Sequence, residues 1–430
     1  MKNDLLREKF FLPLFIFPLI YIIGIAVVEV FLFLYLIFLF LNINNVESLN
    51  KKILIILFLF SAYIGVNAFI QIPSSLKYSS IFHFRYLLFS IAVYFFFEKY
   101  SQIKFNKNFI LSVFFGAIII LLFDSLFQFV VGENIFGQKL FKYRVSSFFG
   151  DDLILGSFLV RLLPIIFWYL FYLRIDINLN KFYLTVFFSI YFLVIYLSGE
   201  RTSFALLIGF ILLSLIFISE LRNILIKCTI IFSIFIIFIA VLDLGKTDIT
   251  HRMFHKTYNQ VVKQNIITEN KTEYKNDNFI KVIKSVNVFS NHHKGHLIVA
   301  KNLFKENPIF GVGPKGFRHF CRLVDYDPEE GICSTHPHNI LAQTLSEIGL
   351  IGLFFYIVFI TFLVKHILLI KKNKDDNKFE SISFLVISIG LIIHLFPILP
   401  SGNFFNNWIS SFIYFKIGLL LYSHNRLFSK

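Results

Sequence analysis

The sequence predicts an all-α fold, a polytopic bundle of about 12 transmembrane helices with one long, partly helical loop outside the membrane. Three observations point there. Hydrophobic residues make up 57% of the 430 and charged residues only 16%, and the mean hydropathy is +0.73, outside the range of soluble globular chains. Apolar stretches of membrane-crossing length recur from one end of the chain to the other. The formal net charge of +15 would suit nucleic acid if it formed one basic domain. It is instead spread over short loops between apolar stretches, where positive charge sets membrane topology.

In chain order, the basic N-terminus MKNDLLREKF runs into an apolar segment with no small-residue cleavage site, so a retained anchor is expected. The apolar run 10–41 is too long for one ordinary span and carries Gly24 and Glu29 near its middle, so it divides into two short helices meeting near Gly24. Further spans are expected at 53–72, 80–97, 109–131, 153–173, 182–198, 203–219, 224–242, 339–370, 380–399 and 407–423. With an even count both termini share a side. If that side is cytoplasmic, the short inner segments hold 18 Lys and Arg against 5 in the short outer ones, the bias this orientation requires. The organisation is then about nine spans over 1–242, a periplasmic loop over 243–338 and about three spans over 339–430. No internal repeat or sustained low-complexity tract is present.

Within the outer loop, Leu297, Ala300, Leu303 and Phe304 recur at helical spacing with Lys301, Lys305 and Glu306 opposite, which predicts an amphipathic helix. The segment NPIFGVGPKGF, 307–317, has the Gly and Pro density of tight turns. Next comes CSTHPHNILAQTLSEIGLIG, 333–352. Pro337 suits the first position of a helix, so His336 would cap it and His338 would sit in its electropositive first turn, a setting for phosphate. At 100° per residue, His338, Ala342, Leu345, Gly349 and Gly352 form one stripe, whose glycines admit a neighbouring helix. Asn339, Gln343, Ser346 and Glu347 form a polar quadrant that must face protein or a cavity.

His338 is the candidate general base, with a structural cap as the alternative. A metal held by His336, His338 and the acidic run Asp325, Asp327, Glu329 and Glu330 is disfavoured, because histidines two apart diverge on a helix. Arg201 lies in a turn between two spans, where its fork can bind phosphate or merely set topology. Arg161 falls inside a span and needs a partner; Asp124, one turn before Gln128, is the candidate, with direct contact to substrate as the alternative. Arg85 and Arg144 face outward and could join a phosphate cluster. Asp151 and Asp152 would cap the following helix or bind sugar hydroxyls. Cys321 and Cys333 share the outer loop and are expected to form a disulfide, whereas Cys228 reads as an inert buried thiol.

The ordered set SGERTS at 198–203, then NPIFGVGPKGF, then HPHN with LSEIGLIG resembles the O-antigen ligase and polymerase superfamily of bacterial membrane glycan transferases. The resemblance implies a donor glycan on a polyprenyl (undecaprenyl) diphosphate, transferred with neither cofactor nor metal at the periplasmic face of the inner membrane. The acceptor would be lipid A core in a ligase, or a second lipid-linked glycan in a polymerase; protein O-glycosylation is a further variant. The family's turn arginine maps onto Arg201, its loop arginine onto Arg252, both on the diphosphate, and its loop histidine onto His338. His336, Arg144, Arg85 and Arg161 complete the candidate substrate contacts. The sequence departs from the family where Gly295-His296 replaces Gly-Arg. A lipid-linked-sugar transporter would share the spans, but there is no inverted repeat and the histidine motif sits at one face.

Overall fold

The computed structural model describes residues 12–42, 51–72, 80–101, 107–141, 144–175, 180–241, 249–258, 291–322, 333–372 and 378–428. Among these residues the chain is helical, with no strand beyond two isolated bridges. The long helices are α1 (Leu12–Ile22), α2 (Ile25–Asn42), α3 (Lys51–Gln71), α4 (Phe84–Ser101), α5 (Lys107–Val131), α6 (Leu155–Tyr172), α7 (Lys181–Leu197), α8 (Arg201–Phe217), α9 (Ser219–Val241), α10 (Asn291–Glu306), α11 (Ile340–Lys372), α12 (Lys378–His394) and α13 (Asn407–Phe428). A helix therefore lies at each expected span. By length and composition, six described helices can cross a membrane: α2, α3, α5, α6, α9 and α11.

The first two helices divide at Gly24, as the sequence suggested, but α1 is wound as a tighter 3₁₀ helix. Pro18 explains part of this, because it has no N–H to offer the carbonyl of Leu14 four residues back. The Tyr35 hydroxyl of α2 donates to that carbonyl at 2.9 Å. The Tyr169 hydroxyl of α6 does the same for Phe15 at 2.7 Å. Rings from α4 and α6 close around Phe15, among them Phe96, Phe97 and Tyr169. Edge-to-face packing of this kind supplies contact energy that the hydrophobic effect cannot provide between helices in lipid.

The inner layer is α4, α6, α12 and α13. Two glycines set its spacing. Gly390 of α12 packs on the Pro164 ring of α6, and Gly418 of α13 packs on Ser90 and Val93 of α4; a Cβ at either would collide. α6 is buried almost all round, whereas α11 leaves most of its surface outside the bundle.

The amphipathic helix expected between the ninth and tenth spans is α10, with Val299, Ala300 and Leu303 buried and Lys301, Lys305 and Glu306 exposed. It packs against α11. One expectation needs correction here. The glycines of α11 do not receive a helix; Gly349 breaks α11 and receives the 307–317 loop. Its φ of 64° and ψ of −161° lie in a region open essentially to glycine alone. At the break the two backbones exchange hydrogen bonds: Val312 N–H to Ser346 O at 2.9 Å, Gly313 N–H to Glu347 O at 2.8 Å, and Leu350 N–H to Pro308 O at 2.9 Å. α3 closes it, with the Tyr63 hydroxyl donating to Ile348 O at 2.6 Å and Asn67 Nδ2 to Phe310 O at 2.6 Å.

The 350–372 part of α11 is roughly 34 Å long at about 1.5 Å per residue, enough to span by itself. The 340–348 part then belongs to the site above it. A Cβ at Gly349 would fall onto the Ile309 carbonyl. Gly349→Ala is expected to cost about 2 kcal/mol or more from strain and clash combined. Thermal unfolding of the purified variant checks this, with Gly209→Ala, where nothing lies within 4 Å of the added carbon, as the neutral control.

Candidate active site

The polar quadrant of α11 faces protein throughout. Gln343 is 1% exposed and Glu347 fully buried. Glu347 Oε1 accepts the Phe317 N–H at 3.1 Å and Oε2 accepts Gln343 Nε2 at 2.8 Å. Gln343 also donates to Asn403 Oδ1 at 2.7 Å and accepts the Phe404 N–H at 2.9 Å. One helical face thus clamps the Gly-Pro loop on one side and the 397–404 segment on the other.

The helix start differs from expectation. Asn339, not His336, caps α11: its Oδ1 accepts the Ala342 N–H at 2.9 Å, and its Nδ2 donates to Pro397 O at 2.6 Å. Pro337 and His338 therefore precede the helix. His338 adopts a left-handed φ of 53°, which turns the chain into the cap, and its carbonyl accepts the Ser401 N–H at 2.8 Å. His336 Nε2 lies 3.2 Å from Ser401 O, so it must carry the hydrogen, and Nδ1 accepts from Thr335 Oγ1 at 3.0 Å.

Four imidazoles gather here. The His338 ring centroid lies 4.0 Å from that of His336, 5.2 Å from His296 and 5.5 Å from His293. Burial, then the neighbouring histidines, pushes His338 down to about 3; burial also pushes His336 down to about 4. Both are neutral near pH 7. His338 remains partly exposed. Upstream, Cys321 and Cys333 are joined by a disulfide, Cα to Cα 5.3 Å. Cys321 is buried among Val299, Leu303, Val312 and Phe317, so the bridge ties the histidine strand to the floor of the outer loop. Closing so short a ring contributes about 2–3 kcal/mol. Cys228 is a buried free thiol. The acidic run Asp325, Asp327, Glu329 and Glu330 lies outside the described residues, and the described ones include no metal-holding cluster.

The second centre is the turn between α7 and α8. Arg252, from a π-wound turn at His251–His255, donates through Nε to Gly199 O at 3.0 Å. Arg144 donates to Ser198 O at 2.9 Å and Leu153 O at 3.1 Å, and its guanidinium lies 3.8 Å from Glu200. Arg201 opens α8, with Nη1 3.5 Å from Thr257 Oγ1. The charge of Arg252 acts on both Arg144 and Arg201. Three guanidiniums thus crowd one turn, an arrangement that an anion stabilises.

Several expectations resolve differently. Asp124 does not pair with Arg161. It accepts from the Ser147 hydroxyl and the Ile135 N–H, holding both residues near the end of α5. Arg161 Nε instead donates to His394 Nε2 at 2.9 Å, and its Nη1 donates to Ser157, one turn back. Neither Asp151 nor Asp152 caps α6, whose N-cap Ile154 has no side-chain bond. Glu200 does that from a distance, accepting the Gly156 N–H at 2.8 Å. Burial pushes this carboxyl above its ordinary range while Arg144 pulls it back. Arg85 pairs with Glu29 at 3.0 Å and donates to the Tyr86 hydroxyl, and its charge acts on His83 together with that of Lys315.

Sequence reasoning missed Glu200, which stood in a quoted motif beside a more conspicuous arginine. It also missed His394 and Lys416, single polar residues in apolar runs. Gly295-His296 was noted as a departure, and the imidazole packed on His338 is that residue.

Residues 186–357 match the O-antigen ligase family, which bears out the resemblance carried by the motifs. The match runs from α7 through the arginine turn and outer loop into α11, and so includes Arg201, Arg252, His336 and His338. No protein of curated function matches the chain. The chain is a multi-pass membrane protein similar to these enzymes.

The lowered histidines make a prediction about stability. Between about pH 3 and the ordinary value of 6.5 the unfolded chain binds more protons at His336 and His338 than the folded one. Their contribution is complete above 6.5 and is lost as pH falls below it. The melting temperature is expected to drop from pH 7 to pH 4.5, and less steeply in His336→Asn. Equal slopes would remove His336 from this account.

Proposed function

From the O-antigen ligase region and the two basic centres, we propose that this protein is an integral-membrane glycosyltransferase. It moves an oligo- or polysaccharide from a polyprenyl (undecaprenyl) diphosphate donor to an acceptor hydroxyl at the periplasmic face of the bacterial inner membrane, with both termini cytoplasmic. The observation that carries this is the crowding of Arg144, Arg201 and Arg252 on one turn. Fixed cations gathered on one turn suit a diphosphate, and they stabilise the leaving group more as its negative charge develops.

In this reading Arg201 and Arg252 hold the diphosphate, while Arg144, committed to two carbonyls and Glu200, fixes the turn beneath them. The acceptor oxygen attacks the anomeric carbon, and the bond from that carbon to the phosphate oxygen breaks. The polyprenyl diphosphate leaves with the electron pair, and His338 takes the hydroxyl proton. A base already neutral near pH 7 needs no prior deprotonation. His336 orients His338 through Ser401; Arg161 and Arg85 act as supports away from the diphosphate. No metal is needed where guanidiniums take the charge.

The test is purified protein with a defined lipid-linked glycan, offered core lipid, a second lipid-linked unit and protein in parallel. Transfer to core lipid makes it a ligase, and growth of the lipid-linked glycan makes it a polymerase. Transfer to protein makes it an oligosaccharyltransferase; transfer to none overturns the proposal. His338→Ala is expected to abolish turnover while the protein still folds. Arg201→Lys, which keeps charge but loses the fork, is expected to lower the rate about 100-fold or more. Saturating chelator is expected to leave the rate unchanged, and a loss reversed by added divalent ion would show that a metal shares the arginines' role.

A further inference from the structure

Arg161 of α6, His394 of α12 and Lys416 of α13 meet inside the bundle, 6%, 7% and 0% exposed. Arg161 Nε donates to His394 Nε2, and Lys416 Nζ lies 3.2 Å from Nδ1 on the other side of the ring. Two basic side chains therefore flank one imidazole. Among the described residues no salt bridge joins either to a carboxylate. Glu200, whose field reaches Arg161, is already engaged by Gly156, Ser203 and Arg144. Buried positive charge in a low-dielectric interior is costly unless an opposite charge is close.

A small chamber lies against Arg161 and His394, walled otherwise by Ser401, Gly402 and apolar side chains including Ile340. The space open to the centre of a water-sized atom is ≈ 10 Å³, about that of a single occupant. The Ser401 hydroxyl is buried there without a hydrogen-bond partner, and beside the guanidinium it is free to donate. The chamber is too small for phosphate or a sugar. A water would fit but would leave the positive charge with only the shared field of Glu200 to offset it.

We propose that this chamber is a binding site for a monatomic anion, a halide such as chloride, held by the Arg161 guanidinium and the Ser401 hydroxyl. Its position gives it a consequence. Ser401 donates its N–H to His338 O and accepts from His336 Nε2, so a halide beneath Ser401 braces the histidine strand from the membrane side. The site does not depend on the transferase reading.

Full-length protein in nanodiscs is unfolded thermally in sodium gluconate, with chloride or bromide replacing gluconate at constant ionic strength. Melting temperature is expected to rise saturably with either halide, and the ³⁵Cl resonance of bulk chloride to broaden in proportion to protein. Ser401→Ala keeps the backbone bonds to both histidines and is expected to weaken halide binding about tenfold, the factor for one hydrogen bond to a charged group. Arg161→Gln is expected to abolish it; if that variant does not fold, the wild-type titration and Ser401→Ala decide. Equal melting temperatures in gluconate and halide, with no excess broadening, overturn the proposal. The chamber would then hold water.

Discussion

Glu347 is a fully buried acid, and the loop and segment around the start of α11 are arranged around satisfying its oxygens. Its oxygens meet the Phe317 N–H and the Gln343 amide, so its position dictates where the Gly-Pro loop and the 403–404 backbone lie. Removing it would strand a buried N–H and loosen a side-chain network at once, and such losses exceed the sum of the separate bonds. The break at Gly349 follows from the same constraint. An unbroken helix would leave the Ser346 and Glu347 carbonyls to their own turn, with nothing to receive Val312 and Gly313.

The two basic centres are built on opposite principles. Around His338 the protein removes charge: four imidazoles crowd together, burial keeps His336 and His338 neutral, and the nearby carboxylate, Glu347, is turned away into its own network. Around Gly199 it concentrates charge, with three guanidiniums on one turn and one buried acid. In the proposed reaction the acceptor hydroxyl would sit beside the first and the diphosphate beside the second. The Arg161 chamber shares Ser401 with the histidines and the field of Glu200 with the arginines.

How much of this was legible in the sequence depends on the range of the interaction. Helix positions follow from runs of apolar residues, a local property, and a helix lies at each expected span. The amphipathic character of α10 and the burial of Gln343 and Glu347 were legible for the same reason, since spacing alone puts them on one face. Partners distant in sequence were not. Asp124 and Arg161 are both lone charges in spans, and nothing local says that Ser147 claims one and His394 the other. The helix start was misplaced because Pro337 is a strong local signal, yet Asn339 can cap α11 and bind Pro397 together, and Pro397 is 58 residues on. Glu200 capping α6 from 44 residues away is the same kind of fact.

The Cys321–Cys333 bridge gives the protein a maturation step. A chain emerging from synthesis carries both thiols reduced, and until they are oxidised the strand bearing His336 and His338 lacks its covalent tie to Cys321 and rests on its hydrogen bonds to Ser401 and its continuity with α11. On the proposed function, the active site would be completed only once this loop reaches an oxidising compartment. A chain still being inserted, or one left facing the wrong side, would hold a complete sequence and an unfinished active site.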